Sequence, residues 1–153
     1  MSLHPDFRDL LAVFAAHEAD YLVVGGYAVG FHARPRFTKD IDLWVGNSPE
    51  NLARVRAALE EFGAPAAMLE QLESALDEDV LWMGVPPVRI DVVIGVPGGD
   101  FSACLARHVL ASWDGVSVSV ISKDDLIAIK RASGRPQDLL DVEALTKSCG
   151  EEG

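Results

Sequence analysis

The chain has 153 residues, 49% of them hydrophobic, and a formal net charge of −11; it can bury one ordinary core and is about the size of a single domain. That charge argues against a surface made for non-specific nucleic-acid binding, which relies on Lys and Arg to displace phosphate counterions. No apolar run approaches the roughly 20 residues of a membrane-spanning helix, and the start Met1-Ser2-Leu3-His4-Pro5-Asp6 lacks the features of a secretory signal, so a cytoplasmic location is expected.

In chain order, Pro5 opens a helix whose Phe7, Leu10, Leu11 and Phe14 share one face until about Glu18. Tyr21-Leu22-Val23-Val24 reads as a short strand that stops at Gly25-Gly26, and Tyr27 to Ala33 continues as a helix that Pro35 halts. Asp40-Ile41-Asp42-Leu43-Trp44-Val45 is a second strand, alternating at first and apolar later, as suits a strand that begins at a solvent-accessible site. Asn47 or Ser48 caps a helix with Pro49 first and Leu52, Val55, Leu59 and Phe62 on one face.

A weaker helical pattern covers Ala67 to Leu76. Val80 to Met83 and Val88 to Ile94 then form a hairpin across Gly84-Val85-Pro86-Pro87. Val116 to Ile121 is one further strand, Ser122 caps a helix carrying Leu126, Ile127 and Ile129, and Gly134-Arg135-Pro136 separates it from a last helix ending near Thr146. The expected fold is an α/β (α+β) domain over 1–147, a small mixed sheet with flanking helices, followed by a frayed tail over 148–153. Cys104 and Cys149 are too few for a disulfide framework, and His4, His17, His32 and His108 have no zinc spacing.

Two carboxylates at i and i+2 of a strand leave the same face, so Asp40 and Asp42 stand side by side and repel unless a cation compensates them. Their hard oxygens suit Mg²⁺ or Mn²⁺. Asp91 is the one acid within Val88–Ile94, where an unpartnered buried charge is strongly disfavoured; on a neighbouring strand it completes a two-metal clamp. A strand ending at Gly25-Gly26 before a helix presents backbone N–H groups and a favourable dipole to an anion. Arg36 and Lys39, just before the aspartate pair, are candidates to neutralise triphosphate charge. Lys130 has two readings, contact with a phosphate or an ion pair with Asp138 or Asp141 that joins the last two helices. Trp44, Trp82 and Trp113 read mainly as packing residues, any one of which could instead stack on a base. Gly25-Gly26 is not followed by the Lys-Ser/Thr of a P-loop, and no nucleophile elbow is present.

The order Val24-Gly25-Gly26, then Thr38-Lys39-Asp40-Ile41-Asp42-Leu43, then Arg89-Ile90-Asp91-Val92 resembles the DNA polymerase beta-like nucleotidyltransferases. Leu126-Ile127-Ala128-Ile129-Lys130-Arg131 followed by Asp138-Leu139-Leu140-Asp141-Val142 is similar to the C-terminal signature of the minimal bacterial AbiE-type toxin enzymes. The resemblance implies transfer of a nucleoside monophosphate from an NTP, ATP included, to a hydroxyl of RNA, protein or a small molecule, with pyrophosphate released. A toxin–antitoxin setting, with a tRNA 3′ end or a partner protein as acceptor, goes with it. By that resemblance Asp40 and Asp42 bind both metals, Asp91 completes the site and helps deprotonate the acceptor, Gly25 and Gly26 hold the triphosphate, and Lys130 approaches a phosphate. The alternative is a non-catalytic nucleotide-binding or antitoxin-like module of the same fold.

Overall fold

The computed structural model describes residues 3–33, 39–75, 79–84 and 88–152. Helix α1 (Pro5–Ala16) has proline in its first turn and buries Phe7, Leu10, Leu11 and Phe14, the face its spacing predicts. Strand β1 (Tyr21–Val24) is buried throughout and runs straight into helix α2 (Gly25–His32). Strand β2 (Asp40–Val45) leads to helix α3 (Pro49–Phe62), where Ser48 Oγ accepts the Asn51 N–H and Gly63 ends the helix in the left-handed region. Helix α4 (Ala66–Glu73) and the antiparallel strands β3 (Val80–Met83) and β4 (Arg89–Val93) follow. Helix α5 (Phe101–Ala106), strands β5 (Val109–Trp113) and β6 (Val116–Val120), and helices α6 (Lys123–Ser133) and α7 (Pro136–Glu152) complete the chain.

The six strands form one mixed sheet in the order β3-β4-β2-β1-β6-β5. The β2–β4 and β1–β6 pairs are parallel and the other three antiparallel. Side chains alternate across each strand, and the register therefore sorts the sheet into two faces. One face carries Tyr21, Val23, Ile41, Leu43, Leu81, Met83, Ile90 and Val92, all buried in the core. On that side Phe14 of α1 meets Tyr21 edge-on, at 5.6 Å between ring centroids. The other face carries Val24, Asp42, Asp91 and Trp82 in a single row across β1, β2, β4 and β3. The first face is thus wholly apolar core, whereas the carboxylates gather on the second, which also buries Leu22 and Trp44.

The structure departs from the sequence expectation in several places, among them the unforeseen helix α5 and an α4 that already ends at Glu73. Gly25 and Gly26 do not precede the helix but form its first turn, because Gly25 takes φ +69° and swings the chain directly out of β1. The strand at 116–120 is half of a hairpin, not a lone strand: Asp114 and Gly115, at φ 50° and 80°, turn the chain back onto Val109–Trp113, and Asp-Gly is a strong signal for such a turn. Finally α7 continues to Glu152, past the expected end near Thr146. Pro35, Leu76 and the Val85-Pro86-Pro87 part of the expected hairpin turn lie outside the described residues.

Candidate functional site

The site grows from the central row of the sheet. Asp42 on β2 and Asp91 on β4 are register partners in a parallel pair, so their carboxylates share one face and interact through a side-chain hydrogen bond. Burial first, then that hydrogen bond and the charge of Asp91, then the charge of Asp40, push Asp42 up to about 7, with Lys130 pulling the other way. Carboxylates crowded so that one is driven toward its protonated form mark a local shortage of positive charge. Asp40 stands one pleat away on the same face, at the exposed start of β2.

Asp91 has a second partner that the sequence reading missed. Arg89, two residues earlier and so on the same face, donates from Nε to Asp91 Oδ1 at 2.7 Å. Its guanidinium carbon also lies 4.9 Å from the centre of the Trp82 ring. The i, i+2 spacing was the available signal, and it is the same spacing that paired Asp40 with Asp42.

Gly25 closes the site against Asp42. A Cβ at position 25 would collide with Asp42 Oδ2, so the carboxylate sits where a side chain would otherwise be. Val24, the residue that caps α2, supplies no side-chain hydrogen bond to its first turn; N–H groups of a first turn have no intrahelical acceptor. Gly25 and Asp42 both line a cleft of about 500 Å³ that also takes in Val80, Lys130, Ser133, Arg135 and Asp138.

Of the two readings of Lys130, the ion pair is present. Lys130 is buried, with Nζ 3.0 Å from Asp141 Oδ2 and 3.4 Å from Asp138 Oδ1, joining α6 to α7. It borders the cleft as well, and its charge reaches Asp42. Arg135 binds Asp138 from the solvent side, Nε to Oδ2 at 2.8 Å, and brings a second cation to the cleft. Burial tends to raise Asp138, but its hydrogen bonds from Arg135 and Ser133 and the charge of Lys130 hold it down to about 2. Arg135 could not be singled out from sequence, since only the packing of α6 on α7 places it here.

Lys39 is exposed beside Asp40, its carbonyl accepting the Arg89 N–H at 3.1 Å, and it does not line the cleft. Arg36 lies outside the described residues. Among the described residues no three His, Cys, Asp or Glu side chains already form a group able to hold a metal ion. The donor set itself, two meeting carboxylates with a third on their face and no soft ligand beside them, fits a hard divalent cation.

This arrangement of strands and helices is the nucleotidyltransferase fold. The chain superposes on ANT(2″)-Ia in complex with adenylyl-2″-tobramycin with a TM-score of 0.58, at 16% identity, covering 96% of this chain and 87% of that one. It superposes on the lincomycin-bound lincosamide antibiotic adenylyltransferase LnuA with a TM-score of 0.56, at 15% identity, covering 95% and 97%. No curated protein matches the chain significantly in sequence. The family model described as nucleotidyl transferase AbiEii toxin of the type IV toxin–antitoxin system matches residues 8–152, and the chain belongs to that family of nucleotidyltransferases.

Proposed function

We propose that this protein moves a nucleoside monophosphate from an NTP, ATP among them, to a hydroxyl of an RNA, and does so in the cytoplasm as one half of a toxin–antitoxin pair. The observation that carries the reading is the Asp42–Asp91 carboxylate pair packed against Gly25. Asp40, Asp42 and Asp91 would hold Mg²⁺ or Mn²⁺, which supplies the positive charge that a transferring phosphoryl group needs. The first-turn amides at Gly25 and Gly26 donate to the triphosphate, aided by the helix dipole. Lys130 and Arg135 add positive potential along the cleft.

Asp91 accepts the acceptor hydroxyl proton while Arg89 fixes the orientation of its carboxylate. The acceptor oxygen forms a bond to the α-phosphorus, the α–β phosphoanhydride breaks, and pyrophosphate leaves with the bonding electron pair. Among the described residues no helix is long and apolar enough to cross a membrane, which suits a partner protein and an RNA substrate reached in solution.

The test is calorimetric titration with each of the four NTPs, with and without Mg²⁺, beside Asp42→Asn. Magnesium-dependent binding that the variant loses supports the site, and labelled NTP then identifies the acceptor. Wild-type protein that binds no NTP would instead act as a protein-interaction module of the same fold.

A further inference from the structure

The three tryptophans have separate fates. Trp44 and Trp113 are each 2% exposed, within the packed interior, whereas Trp82 is 57% exposed. Trp82 sits on the edge strand β3, opposite Asp91 and on the face of the carboxylates. Val80, two residues back on that face and 49% exposed, extends the same apolar surface into the wall of the cleft. Arg89 covers one side of the Trp82 ring at 4.9 Å and holds Asp91 at 2.7 Å, yet its side chain stays 46% exposed. An aromatic ring and a cation therefore stand together at the open end of the row.

Their position along the row gives them a role, on the reading of the site proposed above. In-line transfer places the entering oxygen opposite the leaving one. The glycines that receive the triphosphate lie on the β1 side of Asp42, and Asp91 and Trp82 lie on the β4–β3 side. The pyrophosphate leaves toward the glycines, so the acceptor enters over Asp91 from the Trp82 edge.

From this we infer that Trp82 and Arg89 form the acceptor-side subsite, in which an unpaired nucleobase next to the attacking hydroxyl stacks on Trp82 and the neighbouring phosphodiester faces Arg89. Stacking on an aromatic side chain tolerates any base, since every base has a π-face, and it adds binding that does not come from phosphate contacts. That suits a chain of net charge −11, which is poorly equipped to grip the phosphates of a duplex. Trp82 and Arg89 are positioning residues here.

The experiment titrates a short single-stranded oligoribonucleotide, and the same oligomer ending in an abasic ribose, into wild type and variants with Mg²⁺ by calorimetry, with tryptophan fluorescence followed in addition for the wild type. Calorimetric titration of NTP–Mg²⁺ runs alongside. The base-ended oligomer is expected to quench wild-type fluorescence and the abasic one to bind on the order of 10- to 100-fold more weakly. Trp82→Ala should lose affinity for the base-ended oligomer by a similar factor while binding NTP–Mg²⁺ normally, and Trp82→Phe should keep most of it. The inference is overturned by equal binding of the two oligomers, by Trp82→Ala binding as wild type does, or by a wild-type protein that takes NTP but no oligomer, which would point to a protein acceptor. It is also overturned if both Trp82 variants lose NTP binding together with RNA, since Trp82 would then support the fold. Absence of NTP binding by wild-type protein would sink the transfer reading itself, a distinct result.

Discussion

The carboxylate of Asp42 fills the space that a side chain on Gly25 would occupy. Backbone conformation and site chemistry are joined at this contact, because Gly25 also adopts φ +69° to start α2. An L side chain in that conformation costs roughly 1–2 kcal/mol, and the Cβ would force Asp42 away from Asp91. Gly25→Ala is therefore expected to lower stability by about that amount while reducing transfer by about 100-fold or more, since displacement of a reacting group by about 1 Å is enough for such a loss. Transfer assays with labelled NTP, beside urea unfolding, check both halves.

Asp42→Asn should uncouple function from stability through pH. With the folded-state value pushed up to about 7, the native protein holds a proton that the unfolded chain releases at its ordinary carboxylate value. Stability is then intact below about pH 4 and declines as pH rises through about 7, by on the order of 1.4 kcal/mol per pH unit inside that window. In metal-free buffer the variant should match wild type near pH 4 and exceed it near pH 8, with transfer abolished. Parallel melting-temperature profiles for the two proteins would contradict the raised Asp42 value.

Lys130 and Arg135 touch the same Asp138 with opposite expected consequences. Lys130→Met leaves the buried Asp138 and Asp141 without their central cation, and such a loss costs about 3–5 kcal/mol. Arg135, 77% exposed, contributes no more than about 1 kcal/mol to stability, so Arg135→Ala should fold normally and bind NTP more weakly. Denaturant unfolding and calorimetry on the two variants separate the helix clasp from the cleft cation; similar stability losses would refute the distinction.

Asn51 is buried on α3 and ties two strand ends together. Its Oδ1 accepts the Asp20 N–H at 2.7 Å, and Nδ2 donates to the carbonyls of Gly46 at 2.8 Å and Asp20 at 3.0 Å. Asn51→Ala strands the Asp20 N–H and the Gly46 carbonyl where β1 begins and β2 ends, while the Asp20 carbonyl keeps the Gly46 N–H at 3.2 Å, with an expected loss of about 3 kcal/mol. NTP affinity below the unfolding transition should not change, and a drop in affinity would show that the strand ends transmit to the site.

What could be read from the sequence was what periodicity and spacing carry. The amphipathic face of α1, the Ser48 and Ser122 caps and the i, i+2 placement of Asp40 and Asp42 are local, and the structure has them. Helix α5 is a single short turn-and-a-half with too few residues to show a period, and β5 was hidden because its apolar positions sit on an edge strand and alternate weakly. Arg135, Asn51 and the row from Val24 to Trp82 depend on register and packing between distant segments, which no local pattern encodes. Lys130 lay between the two cases, since its motif was visible but its burial between Asp138 and Asp141 was a matter of tertiary structure.

The parallel pairing of Val23 with Val120 has a consequence for the order in which the protein comes into being. β1, which delivers Gly25, lies in mid-sheet beside a strand made almost a hundred residues later, and pairings between segments so distant form late. While the ribosome is still working on that interval, β1 has no β6 and the cleft has no α6 wall. A nascent chain of this kind carries all three aspartates well before the cleft has its α6 wall, so the site is assembled only after β6 and α6 have followed them.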